Sequence, residues 1–343
     1  MKILQSMFRL SWLFIAMGLL FLAKPVAAEL VAKMPQVMNP FFLTMAYGRI
    51  YIVENSSTAN LYTIGSKEVA FVKTIGREGQ GPGEFGFMYR IRVLEDHLDI
   101  SGNHKLARFS LDGEYIDQVK VPISMFKGGI YQIGENYLAG DLQFSAKETT
   151  RTIRLYDKDF KLIREVGSHK VSMGLEKLNL VSEVFSSRVV GDQILIIASG
   201  EKSIVTIYDM NGIQQEEIHL PLEPIKITAK MKEFFIQPLK EDPVIKDSWN
   251  MIEKRIYFPD KTPGLDYFEV VDGKFIARTY KYRQNSVEFV VSDQQGRELQ
   301  RMFLHNTGRL SNGILFCFYQ GHFYYLLENI EEEAWELHSE KVW

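Results

Sequence analysis

The chain reads as a six-bladed, all-β propeller, and three observations point there. One four-strand pattern recurs six times, most visibly in its second hairpin at 60–76, 106–121, 152–167, 203–220 and 287–304, with a degenerate copy at 334–343. Repeats of roughly 40–50 residues with several strands each are the mark of a propeller. Within each unit the strands alternate apolar and polar residues, are rich in β-branched and aromatic side chains, and are bounded by turn formers. The count of strands then closes on six blades, with seven as the numerical alternative.

Residues 1–28 stand apart from the fold. Lys2 and Arg9 precede an apolar run at 10–23, and Val26-Ala27-Ala28 offers small residues for cleavage, the pattern of a secretory signal peptide. The run is shorter than the ~20 residues a spanning helix needs. The expected domain is therefore 29–343, exported to the periplasm or beyond, with no transmembrane span after cleavage. The leader holds three of the 40 basic residues and no acid, leaving 37 basic against 43 acidic side chains. That balance argues against nucleic acid, which calls for a clustered basic surface. The one cysteine, Cys317, has no internal partner and reads as a buried inert thiol. An exported protein without disulfides, held by its core, fits a periplasmic setting.

Blade 1 is expected to use 41–47, 49–54, 60–64 and 69–75, and blade 2 to use 87–94, 97–101, 106–110 and 114–121. Blade 3 spans about 129–167 and blade 4 about 181–220, with Asn211-Gly212 as a hairpin turn. Blade 5 covers 265–304. Blade 6 has three strands of its own at 313–319, 322–327 and 334–341, and its fourth is expected from 30–34. Such a strand would close the ring and cover an exposed sheet edge. Between blades 4 and 5, about 223–260 departs from the pattern, with helices expected at 225–240 and 243–256. In the second, Ile245, Trp249, Ile252 and Ile256 form one apolar stripe. This insertion is either a structural flap or a lid on one channel mouth, and an irregular piece at 169–180 flanks the same face.

The strongest local motif is GREGQGPGEF, with Gly76, Gly79, Gly81, Pro82, Gly83 and Phe85. Its glycine density cannot be strand interior and suits a tight crossing between blades. Residues 81–86 also match G-x-G-x-x-G, but that fingerprint needs a following helix, and FMYRIRVL reads as a strand. The segment resembles the G-x-x-G-x-G-P-G-x-F linker of NHL-type and related bacterial six-bladed propellers. SGNHKLARF at 101–109 resembles the D-x-x-N-H-R-I-x-x-F core of an NHL repeat, departing at Ser101 and Lys105. The resemblance implies a fold and an exported location. Its families divide between interaction platforms and a minority of enzymes, including lactonases and amidating lyases.

Candidate site residues lie at the ends of the second strands: Glu54, Asn55, Asn103, Asp141, Arg278, Glu328 and Asn329. Converging on one face, their oxygens would suit Ca²⁺, which takes 6–8 oxygen ligands. Asp and Asn are also ordinary turn formers, and Arg278 disfavours an all-oxygen cage while suiting an anionic ligand. No cofactor is expected otherwise. Seven scattered histidines, no H-E-x-x-H, no C-x-x-C and no G-x-S-x-G leave no catalytic set. Glu331-Glu332-Glu333 reads as a solvated turn, and the aromatics at 316–325 as packing between blades. The expectation is a monomeric fold unit binding a protein or small molecule. The alternative is a divalent-metal-dependent lactonase- or lyase-like enzyme. A structural envelope subunit is a third reading, which would show a large exposed apolar patch.

Overall fold

The computed structural model describes residues 28–54, 57–65, 68–102, 104–121, 130–144, 149–171, 177–181, 183–307 and 314–343. The expected leader up to residue 27, Asn55 and Asn103 lie outside these residues. The chain is a six-bladed propeller of four-stranded antiparallel sheets.

The first strand, β1 (Glu29–Met34), is followed by blade 1 in β2 (Pro40–Ala46), β3 (Arg49–Glu54), β4 (Ala59–Ile64) and β5 (Val69–Ile75). Blade 2 holds β6 (Met88–Val93), β7 (His97–Gly102), β8 (Lys105–Ser110) and β9 (Tyr115–Lys120). Blade 3 holds β10 (Ile130–Ile133), β11 (Asn136–Phe144), β12 (Thr149–Tyr156) and β13 (Leu162–Val171). After the short β14 (Leu178–Asn179), blade 4 runs through β15 (Phe185–Val190), β16 (Gln193–Ser199), β17 (Ser203–Asp209) and β18 (Gln214–Leu220). The insertion carries α1 (Ala229–Glu241), α2 (Pro243–Lys246), α3 (Trp249–Glu253) and β19 (Ile256–Tyr257). Blade 5 is β20 (Tyr267–Val271), β21 (Lys274–Arg283), β22 (Ser286–Ser292) and β23 (Glu298–His305). Blade 6 is β24 (Phe316–Tyr319), β25 (His322–Asn329) and β26 (Ala334–Lys341), completed by β1 in the order β1-β26-β25-β24. The expected closing strand is therefore in place, with Met34 opposite Trp335 and fully buried.

A gradient of burial explains the strand sequences. The second strands β3 and β16 are buried on both faces and are near-continuous apolar runs, whereas the outermost strands β5 and β18 are largely exposed, β18 with a polar face and β5 with Phe71 and Val72 at the surface. In blades 3, 4 and 5 the sequence repeat has a physical origin in the last hairpin. Asp157, Asp209 and Asp293 each accept, through Oδ1, backbone N–H groups two and four residues on, at 2.8–3.0 Å. The residue three places after each aspartate (Phe160, Gly212, Gly296) then has positive φ.

The 76–85 linker is a staple between blades 1 and 2. Glu84 Oε2 accepts from Gly81 N at 2.8 Å, Arg77 Nε donates to Glu84 Oε1 at 2.8 Å, and Phe85 drops into the shared core with no exposure. Lys105 donates to the Gly81 carbonyl at 3.1 Å and stands over the Phe85 ring. A strand follows the motif, as expected.

The insertion differs in detail from expectation. The first helix forms with Thr228 as its cap, its Oγ1 accepting from Met231 N, and buries Phe235 against Val181, Ile227 and Tyr280. The second breaks into two short pieces at Asp247-Ser248, a polar pair that favours turns. Residues 169–171, expected irregular, extend β13, and β14 pairs in parallel with β19, so the two irregular segments meet.

Candidate ligand site in the axial channel

The innermost strands β2, β6, β10, β15, β20 and β24 surround a cavity of about 740 Å³. It reaches the first-hairpin turns at Tyr47, Asp272 and Gln320, where these residues and the following glycines all have positive φ. That pair of left-handed residues is the two-residue turn suited to the twist of a hairpin.

Two inner strands place arginines on the channel. On β6, Arg90 and Arg92 are two residues apart and so share a strand face, and both guanidinium groups lie within 6 Å of the Tyr131 ring centroid, at 5.9 and 5.5 Å. Arg90 donates to Tyr131 Oη at 3.1 Å and reaches Glu269 Oε2 on blade 5 at 3.3 Å. Blades 2 and 5 are opposite in a ring of six, so this pair is a strut across the channel. Arg188 on β15 donates to Glu269 Oε1 at 2.9 Å and to the Ser187 and Phe268 carbonyls. Burial opposes both charges, but each outweighs it for the other: Glu269 is held below the usual carboxylate range by Arg188 and Arg90, and Arg188 is raised further.

Arg92 is less well satisfied. Among the described residues its hydrogen bonds are long ones, to the carbonyls of Gln132 (3.3 Å) and Val189 (3.4 Å). Burial, aided by Arg90 and opposed by Asp99, lowers its guanidinium below the usual value. Asp99 is its cross-strand partner on β7 and is itself buried. Among the described residues no hydrogen bond reaches either Asp99 oxygen, though His97 Nε2 stands 3.3 Å from Oδ1, and burial raises the Asp99 carboxyl. At the depth of the strut the described residues of the wall therefore carry three guanidinium groups against the carboxylate of Glu269, among Phe42, Tyr267 and Phe316. Cys317 lies half-buried on the same wall, its thiol pKa pushed up by burial.

The described residues among those singled out from sequence lie away from this cavity, and most are engaged close to home. Glu54 is buried and accepts from Asn39 N (2.7 Å), Met38 N (3.4 Å) and Asn60 Nδ2 (2.9 Å), while burial raises its carboxyl. Asp141 accepts from Arg154 at 3.1 Å. Arg278 donates to Asp266 at 3.0 Å and lies over the Phe316 and Tyr267 rings. Glu328 is exposed, and Asn329 donates to Glu336 at 2.9 Å. None of these lines the axial cavity. Among the described residues, no group of three or more His, Cys, Asp or Glu side chains is placed to hold a metal ion, and no helix is long and apolar enough to cross a membrane. A second cavity of about 690 Å³ lies between the insertion and blade 4, lined by Glu183, Glu201, Tyr257 and Asp260 among others.

Sequence reasoning passed over Arg90, Arg92, Arg188 and Glu269. Their signal was a charged residue inside the first strand of a blade, in YRIRV, SSRVV and YFEVV. In a propeller that strand has no solvent face, only the channel.

Residues 37–175 match a family model described as 6-bladed beta-propeller. No curated protein matches the chain. Solved structures similar to it include the WD40 beta propeller domain of Doa1 (11% identity, TM-score 0.42, covering 91% of this chain and 97% of that one). A luciferin-regenerating enzyme is similar at 11% identity and TM-score 0.45, with 92% and 97% covered. The computationally designed Ika8 protein is similar at 8% identity and TM-score 0.38, with 91% and 99% covered.

Proposed function

We propose that this protein is an exported, NHL-like propeller that works as a binding module, with the axial cavity as its ligand site. One observation carries the reading: all six inner strands wall a cavity of about 740 Å³ in which guanidinium groups outnumber carboxylates. Ligand pockets fall in the range of roughly 300–1,000 Å³, mostly apolar with a few convergent polar groups. Export is supported by the leader-like residues 1–28, and the NHL-like character by the 76–85 linker.

The test is a series of thermal melts with small anions, uncharged sugars and polyamines. A ligand at 100 times its Kd adds about 2.7 kcal/mol. With ~2.1 cal/mol/K per residue over the propeller, that is a rise of roughly 4 °C. A rise with any class supports a binding site, and no rise with any class rejects it. N-terminal sequencing of protein from its own cell envelope tests export, with residue 29 as the expected start and Met1 as the contrary result.

A further inference from the structure

We propose that the axial cavity binds small dianions, a dicarboxylate or a phosphate, through Arg92 and Arg90. This deepens the binding-module reading and rests on it. Of the three arginines, Arg188 is already committed to Glu269 and two carbonyls. Arg90 shares that carboxylate at 3.3 Å, and Arg92 has carbonyl contacts near the limit of a hydrogen bond. A guanidinium offers five donors in a rigid fork, so Arg92 keeps most of its capacity for a planar or tetrahedral anion.

The two groups lie against one ring, Tyr131, and on one face of one strand. Like charges held so close repel in a low-dielectric wall, and an anion between them relieves the repulsion while gaining charge-assisted hydrogen bonds. Arg90, Arg92 and Arg188 against the one carboxylate of Glu269 leave the lining at this depth a surplus of two positive charges, which favours a ligand carrying two negative charges over one carrying a single charge. The rest of the described wall at this depth, Phe42, Tyr267 and Phe316, offers no further acid; the buried Asp99 stands behind Arg92 on β7, outside the cavity lining.

The experiment is calorimetric titration of the purified protein with succinate, inorganic phosphate and the uncharged isostere succinamide. Saturable binding of succinate or phosphate is expected, weakening as salt rises, with none for succinamide. Which anion binds tells a carboxylate source from a phosphate source. Arg92→Gln should weaken that binding at least about tenfold, the loss of one charge-assisted bond. Arg92→Lys, which keeps the charge without the fork, should fall between, and it keeps the test open if Arg92→Gln fails to fold. Unchanged affinity in both variants, or equal binding of succinamide, overturns the proposal. If neither anion binds while an uncharged or cationic ligand stabilises the protein, this inference fails and the channel reading stands. If nothing binds, both fall.

Discussion

Glu269→Gln is the most informative single change, because it moves stability and affinity in opposite directions. The carboxylate holds Arg188 at 2.9 Å and Arg90 at 3.3 Å, the latter on the opposite blade. Glutamine is nearly isosteric, but one amide oxygen cannot serve both guanidinium groups, and its NH₂ then faces one of them. Removing one member of a buried ion pair costs about 3–5 kcal/mol, and with the Glu269 side chain 24% exposed the low end, about 3 kcal/mol, applies. Across the 315 residues of 29–343, that is a fall in Tm of roughly 5 °C. The pH dependence has a definite sign. The folded carboxyl is held below its ordinary value, so its stabilisation is complete above the usual glutamate range and disappears as pH falls through the lowered value. The deficit of the variant should thus be full at pH 7.5 and shrink below about pH 4. With the competing carboxylate gone, Arg90 is free, and succinate should bind more tightly. Melts monitored by circular dichroism between pH 7.5 and 3.5, with a succinate titration at pH 7.5, read both effects. An unchanged Tm at pH 7.5, or a deficit that grows in acid, would refute the strut.

Three further changes test other parts of the account. Deleting Glu29–Met34 removes the buried Met34 and the ladder to β26; at about 2 kcal/mol for the side chain and ~1 for each hydrogen bond, Tm should fall by roughly 6 °C or more, and an unchanged melt would disprove ring closure by β1. Gly76→Ala places a Cβ 2.3 Å from Met88 Cε and 2.9 Å from the Ser57 carbonyl at φ +76°, so a loss of about 2–4 kcal/mol in denaturant unfolding is expected, and a silent substitution would refute the crossing geometry. Asp99→Asn removes a buried acid whose folded pKa is raised; the wild type loses stability as pH rises from the ordinary aspartate range through that raised value, so the variant should gain relative to wild type as pH rises, and melts showing the opposite trend would contradict the burial of an ionised Asp99.

The architecture was legible because its signals are local. The second hairpin recurs with a polar turn, built on an aspartate in blades 3, 4 and 5, second strands such as β16 are apolar on both faces, and counting left one strand missing that 30–34 supplies. The helix at 243–256 was misread in part because the stripe of Ile245, Trp249, Ile252 and Ile256 continues through Asp247-Ser248, where the chain turns. Its members are all only half-buried, so the periodicity had no continuous partner surface to enforce one helix. The channel charges were hidden for a different reason. The strut joins residues 179 positions apart, and whether an inner-strand arginine meets a carboxylate across the axis depends on ring closure, not on its neighbours in sequence. Arg278, which from sequence suggested an anionic ligand, finds its carboxylate only twelve residues away in Asp266.

The proposed anion site in the axial channel is open to direct view in a crystal structure of the protein grown with succinate. The expected result is succinate inside the channel, with its carboxylates within hydrogen-bond distance of Arg92 and Arg90 and the Arg188–Glu269 pair intact. Succinate bound elsewhere, with those arginines still on the Gln132 and Val189 carbonyls and on Glu269, would contradict it.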